Sequence, residues 1–420
     1  MHLTDSQQAA YDGIIKDASM RSTLFGAAGT GKSTLISELF RYYTERKLRV
    51  LPLAPTHQAK KVLSNMLRSQ ALTIHKGLGL KPLTEREFLE FSLSGVKDGV
   101  PVQSADIVII DEVSMVSDEL YATITRFLKP EQKLIGVGDP HQLPPIDNND
   151  TISPFFLQKQ FKKYELTEIV RTNNTIVDVA DRIKNGQPFI SEDKDVIKCF
   201  NAEELLDIYK TYVKTPEDCF TNRIVAYTNK SVNYMNEIVR LYLYNDTSKD
   251  KYISGEYLVL QDPVFKDEQI VCNNGDIVQV TEFFTKKKII TSSLTGKEMN
   301  IEFDEILTEI IDGDYEGKVT LRVLSSEYEQ PFGEFLSFWA HAIKNATTGN
   351  KKLMWEDFWR LKHTFVTVKY LPASTIHKSQ GITVENIFIH SQHRRIAGEA
   401  LNKQLLYVAV TRAKNKVYFV

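Results

Sequence analysis

The sequence predicts an α/β fold made of two sets of parallel strands and helices, with a strand-rich insert in the second set. Three observations support this prediction. Short β-branched runs alternate with helical patterns through the first 170 residues, a second alternation begins near Arg223 and returns at the C-terminus, and the segment between them changes character from about residue 250. Alternation of this kind is typical of parallel sheets covered by helices.

The first set contains four predicted strands, each followed directly by small, polar or acidic residues. These strands are Ser22 to Phe25, Arg49 to Leu53, Ile107 to Ile110 and Lys133 to Val137. In open α/β sheets the ligand lies outside the carboxyl ends of the strands, so we expect the chemistry there. Residues Lys81 to Gln103 interrupt the pattern with two prolines and two glycines, and are predicted to form a small protruding hairpin or arm.

The second set is predicted to be split by an insert that spans roughly residues 250 to 364. Its strands are predicted at Ile224 to Tyr227, Phe365 to Tyr370, Asn386 to His390 and Lys416 to Val420. The insert begins with three strand patterns and turn signals, as in a small barrel, and then becomes helical. Trp355, Phe358 and Trp359 follow helical spacing, which favours a packed helix face.

Composition excludes several classes of protein. Of the 420 residues 42% are apolar and 25% charged, which is ordinary usage for folded proteins. The net charge is -2, so any surface for a polyanion must be a local patch. Three widely spaced cysteines without a Cys-x-x-Cys pair imply neither disulfide framework nor zinc cluster, and favour a reducing, cytoplasmic compartment. No run approaches the length of a membrane span, so no membrane partner is expected.

One segment carries a phosphate-binding pattern. Gly26 to Ser33 matches Gly-x-x-x-x-Gly-Lys followed by Ser or Thr, directly after a predicted strand and before an amphipathic run. The glycines let the backbone fold around phosphates, Lys32 reaches the β- and γ-phosphates, and the Ser33 hydroxyl binds Mg²⁺. The predicted ligands are therefore a nucleotide and Mg²⁺. The candidate nucleotide-binding residues of this loop are Gly26, Gly29, Thr30, Gly31, Lys32, Ser33 and Thr34.

Two further segments suggest hydrolysis as well as binding. Asp111 follows the apolar run Ile107 to Ile110, where a carboxylate can hold the Mg²⁺ that Ser33 also binds. Glu112 is suited to position an attacking water. Gln142 lies in a polar, proline-stiffened loop after another strand and is suited to contact the γ-phosphate or its water, although a rigid surface turn explains the same pattern.

Together these segments resemble the ordered motifs of superfamily 1 helicases, and within them the RecD-like class. The resemblance covers nearly the whole chain and is weakest at 81 to 103 and 250 to 364. The matching segments are Gly26 to Thr34, Ala54 to His57, Thr73 to His75, Asp111 to Met115, Gly138 to Pro145, Leu166 to Asn173, Phe220 to Ser231, Pro372 to Gly381 and Tyr407 to Ala413.

The resemblance implies two RecA-like motor domains with ATP in the cleft between them. It implies an arm or pin inserted in the first domain and an SH3-like barrel with a helical extension inserted in the second. The implied limits are 1–80 and 104–170 for the first motor domain, 81–103 for the arm, 171–249 and 365–420 for the second motor domain, and 250–364 for the barrel and extension.

The resemblance also implies roles for residues that local patterns alone would leave as surface or structural groups. Arg171 and Arg412 are similar to arginines that reach the γ-phosphate, and Gln7 to an adenine-reading glutamine. Gln380 and Gly381 are similar to a motif that links the nucleotide cleft to DNA. Phe88 and Phe91 correspond to the strand-separating pin, or they anchor the arm. The implied DNA-binding residues are Thr56, His57, Lys60, His75, Asn229, Lys230, Thr375 and His377.

The expected function is therefore an ATP-dependent DNA helicase that moves on single-stranded DNA and unwinds duplex DNA. The 5′-to-3′ direction is implied by the resemblance alone. The expected partners are single-stranded and forked duplex DNA, together with replication or recombination proteins. The chain is expected to act as a monomer in the cytoplasm, which is the host cytoplasm if the chain is phage-encoded. Two alternatives stay open: an ATP-gated clamp or remodelling translocase with little unwinding, and an RNA helicase.

Overall fold

The computed structural model describes residues 3–17, 19–80, 100–145, 152–170, 174–187, 194–244, 251–266, 269–347, 349–391 and 398–420. It divides into two compact units. The first comprises Met1–Val213, Phe220–Asn233 and Ser374–Val420, and the second comprises Lys214–Cys219 and Tyr234–Ala373. The predicted pin residues Phe88 and Phe91, and Arg171, lie outside the described residues.

The described strands are as follows in chain order. They are β1 Arg21–Gly26, β2 Val50–Ala54, β3 Leu72–Thr73, β4 Ile107–Ile110, β5 Lys133–Gly138, β6 Lys162–Leu166, β7 Val196–Lys198, β8 Asn222–Ala226, β9 Tyr257–Leu260, β10 Val264–Lys266, β11 Gln269–Cys272, β12 Ile277–Thr291, β13 Glu298–Asp312, β14 Gly317–Leu324, β15 Val368–Tyr370, β16 Ala373–Thr375, β17 Val384–His390 and β18 Ala413–Phe419.

The described α-helices follow the same order. They are α1 Asp5–Lys16, α2 Lys32–Glu45, α3 His57–Leu67, α4 Ile74–Gly77, α5 Pro101–Ser104, α6 Asp118–Phe127, α7 Pro154–Leu157, α8 Asn174–Lys184, α9 Ala202–Tyr212, α10 Asn229–Tyr244, α11 Ser326–Asn345, α12 Lys351–Lys362 and α13 Glu399–Thr411.

The first unit contains a six-stranded sheet of order β3-β2-β4-β5-β1-β6, in which every neighbouring pair is parallel. The four strands predicted for the first set are confirmed as β1, β2, β4 and β5. All four residues of β4 are buried because the sheet is covered on both faces, which explains its continuous apolar run. Two apolar clusters, one around Ile124 and Phe155 and one around Leu24 and Leu39, form the core of this half.

The same unit contains a second, five-stranded sheet of order β16-β8-β17-β18-β7. Strand β17 pairs parallel with β8 and β18, and β18 pairs parallel with β7. Helices α8 and α13 pack against it and share an apolar cluster that includes Ile176, Val408 and Ile387. Two parallel sheets covered by helices confirm the predicted α/β architecture.

The second unit is built on an antiparallel sheet of order β14-β13-β12-β9-β15. Its longest hairpin joins β12 and β13, each of 15 residues. Helices α11 and α12 follow the strands, and Trp355 and Trp359 pack with Phe358 and Trp339 around one apolar cluster. The predicted barrel-like start, helical end and packed tryptophan face are therefore confirmed.

Two predictions on element placement were wrong. The strand predicted at Phe365 to Tyr370 does not join the second parallel sheet, because β15 pairs antiparallel with β9 in the other unit. The predicted arm was also too long at its C-terminal end. Residues 101 to 103 lie in helix α5, where Val102 is completely buried in the first core, and residues 81 to 99 lie outside the described part of the chain.

Candidate functional site

The phosphate-binding loop connects β1 to α2 at the carboxyl edge of the first sheet. Gly29 and Gly31 have φ values of 85° and 78°, which L-residues rarely adopt. A Cβ on Gly26 would lie 2.7 Å from Thr30 Oγ1 and 2.8 Å from the Leu166 carbonyl oxygen, so the loop has no room for a side chain there. The Lys32 ammonium donates to the carbonyls of Gly26, at 2.8 Å, and Ala27, at 2.9 Å.

The entrance to α2 is arranged for an anion. Gly31 is the N-cap and supplies no side-chain cap, so the first N–H groups of this 14-residue helix are available to phosphate oxygens. The Ser33 side chain is exposed and Thr30 is buried. Thr34, one residue further, is half-buried in the first turn of α2. These residues lie in one loop and helix start, as the motif requires.

Asp111 and Glu112 follow β4, two strands from the loop. The Glu112 N–H donates to Asp111 Oδ1 at 2.9 Å, and Glu112 has a φ of 51° in the left-handed region. Burial, together with the neighbouring Glu112 charge, raises the pKa of Asp111, and Lys32 opposes this rise. Glu112 Oε2 is buried without a hydrogen-bond partner. A divalent cation fits this pair, because it would balance two adjacent carboxylates.

The loop after β5 carries Gln142. Its backbone N–H donates to the Asp139 carbonyl at 3.2 Å, while the Asp139 carboxylate accepts from the His141 N–H at 2.9 Å. Gln142 is 5% exposed, and its Oε1 is buried without a hydrogen-bond partner. The loop therefore is not a simple solvated turn, since it holds an unsatisfied amide oxygen inside the protein.

Arg412 lies at the C-terminal end of α13 in the second half and is 6% exposed. Its guanidinium donates to the carbonyls of Val408, at 3.1 Å, and Ile382, at 3.3 Å. Burial lowers the pKa of Arg412, and the nearby charge of Glu112 opposes this effect. The two side chains therefore share one electrostatic environment across the two halves. On the other side, Val170, which precedes Arg171, donates its N–H to the Gly29 carbonyl at 2.9 Å.

Two residues of this cleft were missed by the sequence prediction. The Tyr407 hydroxyl accepts the Ala28 N–H at 2.9 Å and donates to Asp139 Oδ2 at 2.6 Å. Tyr407 is a polar group in the otherwise apolar run from Leu405 to Val410, and that contrast is the signal that could have identified it. Asp139 lies inside the Gly138 to Pro145 motif, where only Gln142 was singled out.

Gln7 is buried, and both ends of its amide are engaged within the protein. Its Nε2 donates to the Thr30 carbonyl at 3.0 Å, and its Oε1 accepts the Thr4 N–H at 3.0 Å as part of a capping box. In this arrangement Gln7 braces the phosphate-binding loop against α1. Its predicted contact with adenine stays a prediction.

Some of the residues predicted to bind DNA lie in two segments that the structure brings together. Thr56 Oγ1 caps α3 by accepting the Ala59 N–H at 3.1 Å, His57 is half-buried, and Lys60 is 8% exposed. A Cβ on Gly381 would lie 3.6 Å from Ala59 Cβ, so the segment that contains Thr375, His377 and Gln380 meets the start of α3.

The remaining residues of this set are exposed. His75 lies in α4, while Asn229 and Lys230 open α10 directly after β8. Burial lowers the pKa of His377, which favours the neutral imidazole at pH 7. Gln380 Nε2 is buried without a hydrogen-bond partner, beside Gly381 with a φ of 79°. The predicted DNA-binding role of these residues stays a prediction.

The fold and the cleft define a P-loop motor of helicase superfamily 1. Three family models match the chain: the AAA domain over residues 2–202, the Dda helicase SH3 domain over 249–370, and the UvrD-like helicase C-terminal domain over 370–420. The chain is 35% identical to the ATP-dependent DNA helicase Dda of Enterobacteria phage T4, with 100% of this chain and 99% of that protein covered. It belongs to the Dda family of superfamily 1 helicases.

More distant relatives agree with this placement. The ATP-dependent DNA helicase Pif1 of Campylobacter jejuni is 25% identical, with 97% of this chain and 88% of that protein covered. The structure of Pif1 helicase from Candida albicans matches with a TM-score of 0.52 at 16% identity, covering 100% of this chain and 95% of that chain. That of Bacteroides Pif1 bound to single-stranded DNA matches with a TM-score of 0.52 at 18% identity, covering 100% and 92%. At such identities these structures show the fold alone.

Within the described residues, no helix has both the length and the apolar character needed to cross a membrane.

Proposed function

We propose that this chain hydrolyses ATP to move 5′ to 3′ along single-stranded DNA and to separate the duplex ahead of it. The observation that carries the proposal is the cleft itself, in which Asp111 lies within electrostatic range of Lys32 in the same half. The adjacent Glu112 lies within electrostatic range of Arg412 in the other half. Relatives named as ATP-dependent DNA helicases support the same activity, and the direction rests on the family resemblance.

The residues of the first half would bind the triphosphate and prepare the attacking water. The N-terminal N–H groups of α2 and the Lys32 ammonium complement phosphate charge, while Gln142 offers its unsatisfied Oε1 to a water or ligand donor. A Mg²⁺ ion held by the Ser33 hydroxyl and Asp111 would neutralise charge on the β- and γ-phosphates. Glu112, whose Oε2 has no protein partner, would orient the water.

The residues of the second half would make hydrolysis depend on closure of the cleft. Arg412 is a cation buried near Glu112, where it can offset the charge that develops on the transferred phosphoryl group. Arg171 is proposed to act beside the phosphate-binding loop, since Val170 ties the preceding backbone to Gly29. ATP would bind to the first half of the cleft, and Arg412 of the second half would balance its charge. The cleft would therefore close on ATP and reopen after hydrolysis.

Movement along DNA would follow from the contact between Gly381 and Ala59. This contact joins the segment of Gln380 to the start of α3, and both segments hold residues predicted to bind DNA. Closure of the nucleotide cleft would therefore change the distance between two segments proposed to bind DNA. We propose that the chain acts as a monomer on forked DNA in the cytoplasm of a phage-infected host, together with replication or recombination proteins.

The test is strand separation on two partial duplexes that differ only in carrying a 5′ or a 3′ single-stranded tail. Unwinding of the 5′-tailed substrate alone, with ATP and Mg²⁺, is expected. The Lys32→Ala variant is the matched negative control and should unwind neither. Hydrolysis without unwinding of either duplex would overturn the helicase proposal in favour of a clamp or remodelling translocase.

The preference for DNA is tested by the same ATPase assay. Matched single-stranded DNA and RNA oligomers of identical sequence are compared for the hydrolysis rate that they stimulate. Stronger stimulation by DNA is expected, and equal or stronger stimulation by RNA would contradict this part of the proposal.

A further inference from the structure

The Tyr407 hydroxyl bridges three segments of the cleft. It accepts the N–H of Ala28 in the phosphate-binding loop at 2.9 Å and donates to Oδ2 of Asp139 in the Gln142 loop at 2.6 Å. Tyr407 itself belongs to α13, the helix that ends at Arg412. One phenolic group thus connects the phosphate-binding loop and the Gln142 loop of the first half with the Arg412 helix of the second.

The bridge is shielded from water. Tyr407 is 1% exposed and Asp139 is 0% exposed. Leu143 is buried in the apolar cluster of the second half, and Ala28 packs against that cluster, so two residues of the first half flank the bridge with apolar surface. In such surroundings a polar group that loses its hydrogen-bond partner cannot be compensated by solvent.

We propose that the Tyr407 hydroxyl is a positioning group for ATP hydrolysis. It holds the Gln142 loop and the Arg412 helix in fixed positions against the phosphate-binding loop when the cleft is closed. This inference rests on the proposed function. The three hydrogen-bonding groups meet only when the two halves are together, because two of them belong to the first half and one to the second. The hydroxyl therefore stabilises the closed arrangement relative to an open one in which water can reach all three groups.

Tyr407→Phe isolates this contribution, because it removes one oxygen and keeps the ring. The ring also packs edge-on against His141, with centroids 6.3 Å apart, and Phe retains this contact. In the variant the Ala28 N–H and the Asp139 carboxylate lose a partner only in the closed cleft. We expect kcat/KM for DNA-stimulated ATP hydrolysis to fall about tenfold or more.

Tyr212→Phe is the matched control. Tyr212 lies on α9 in the same half, and its hydroxyl is hydrogen-bonded to the Tyr418 hydroxyl at 2.7 Å, away from the cleft. The Tyr212→Phe variant also loses one phenolic hydrogen bond. Because this bond lies away from the cleft, the variant should keep the kcat/KM of the parent chain. Thermal unfolding of both variants shows whether a lower kcat/KM comes from a less stable fold or from a changed position of the two halves in the closed cleft.

A second readout measures closure directly. The native cysteines Cys199, Cys219 and Cys272 are buried, so cysteines introduced as Lys47→Cys and Glu203→Cys, at exposed positions in the two halves, can carry a fluorescent donor and acceptor. Addition of the ATP mimic ADP–beryllium fluoride should raise energy transfer in the parent chain and in Tyr212→Phe. In Tyr407→Phe the change should be smaller at saturating mimic.

The outcomes separate the inference from the proposed function. A parent chain that does not hydrolyse ATP would refute the proposed function. An active parent chain together with a Tyr407→Phe variant of equal kcat/KM would overturn the inference alone. A reduced kcat/KM with unchanged closure would also overturn the inference, because the hydroxyl would then act on a step other than closure of the cleft.

Discussion

The carboxylate of Glu168 accepts a hydrogen bond from the backbone N–H of Ser6 at 2.8 Å. This contact ties the segment that leads to Arg171 to the first turn of α1, the helix that carries Gln7. Gln7 in turn donates to the Thr30 carbonyl in the phosphate-binding loop. The N-terminal helix is therefore part of the support of the nucleotide site.

Glu168→Gln should loosen this support. The amide still accepts from Ser6, but the negative charge that favours a helix N-terminus is lost. We expect KM for ATP to rise about twofold to fivefold. Steady-state ATPase measurements check this, with Glu165→Gln as the control, since Glu165 is exposed on the same segment. An equal rise in both variants would show that net charge alone is responsible.

The contact between Glu168 and Ser6 also predicts how the effect of Glu168→Gln on the KM for ATP depends on pH. The hydrogen bonds from Ser6 and Thr4 lower the pKa of Glu168 to about 2. A lowered carboxyl pKa stabilises the fold at pH values above the unfolded pKa, and that stabilisation disappears only as the pH falls towards 2. The ratio of KM between parent and Glu168→Gln should therefore be constant from about pH 5.5 to 9. A ratio that changes within this range would contradict the assignment.

Glu112 should show a trade-off between stability and activity. Its φ of 51° is strained for any residue with a side chain, and its Oε2 is buried without a partner. Glu112→Gly should raise the free energy of unfolding by about 1 kcal/mol and abolish hydrolysis. Glu112→Gln keeps the strain and should lose hydrolysis without the gain in stability. Urea denaturation and ATPase assays test this, and unaltered hydrolysis in either variant would refute the role of Glu112.

Arg412 should be required for turnover and not for nucleotide binding. Arg412→Lys keeps a cation but not the fork that bonds Val408 and Ile382, and we expect kcat to fall by about a thousandfold. Binding of a fluorescent ATP analogue should be retained within a fewfold, because Lys32 and the α2 N-terminus remain. A normal kcat in Arg412→Lys would remove this residue from the site.

A glycine at position 381 should be required for DNA to stimulate ATP hydrolysis. Gly381→Val would place methyl groups against Ala59 in addition to straining a φ of 79°. Gly186→Val, with a φ of 73° and nothing within 4 Å of its Cβ position, carries the strain alone. Each variant should lose about 1–2 kcal/mol of stability, whereas only Gly381→Val should lose most of its DNA-stimulated ATPase. Equal DNA stimulation in the two variants would argue against Gly381 as the link.

Much of this architecture is readable from local sequence, and what is not readable depends on distant partners. The buried run of β4 and the loop from Gly26 to Ser33 carry short-range patterns that fix their structure. The side chains of Val368 and Tyr370 in β15 fit either sheet. Only their pairing with Leu260 and Leu258 in β9 decides between the two sheets. Strand β6 begins with Lys162 and Lys163, so its pattern does not predict a strand in a sheet.

The site shows the same division. Lys32, Ser33 and Asp111 belong to patterns that predict a phosphate and Mg²⁺ site directly. The link between Tyr407 and Asp139 spans 268 residues of sequence, so no local pattern reports it. The amide of Gln7 is another case, because its engagement by Thr4 and Thr30 depends on how α1 packs beside the loop.

The burial of Leu143 in the apolar cluster of the opposite half has a thermodynamic consequence. Any opening of the cleft transfers this side chain and part of Ala28 into water, and hydration of apolar surface increases the heat capacity. Closure therefore carries a negative heat-capacity change, and its driving force weakens on cooling. Calorimetric titration with a nucleotide mimic at several temperatures would report this slope, independently of any measurement of hydrolysis.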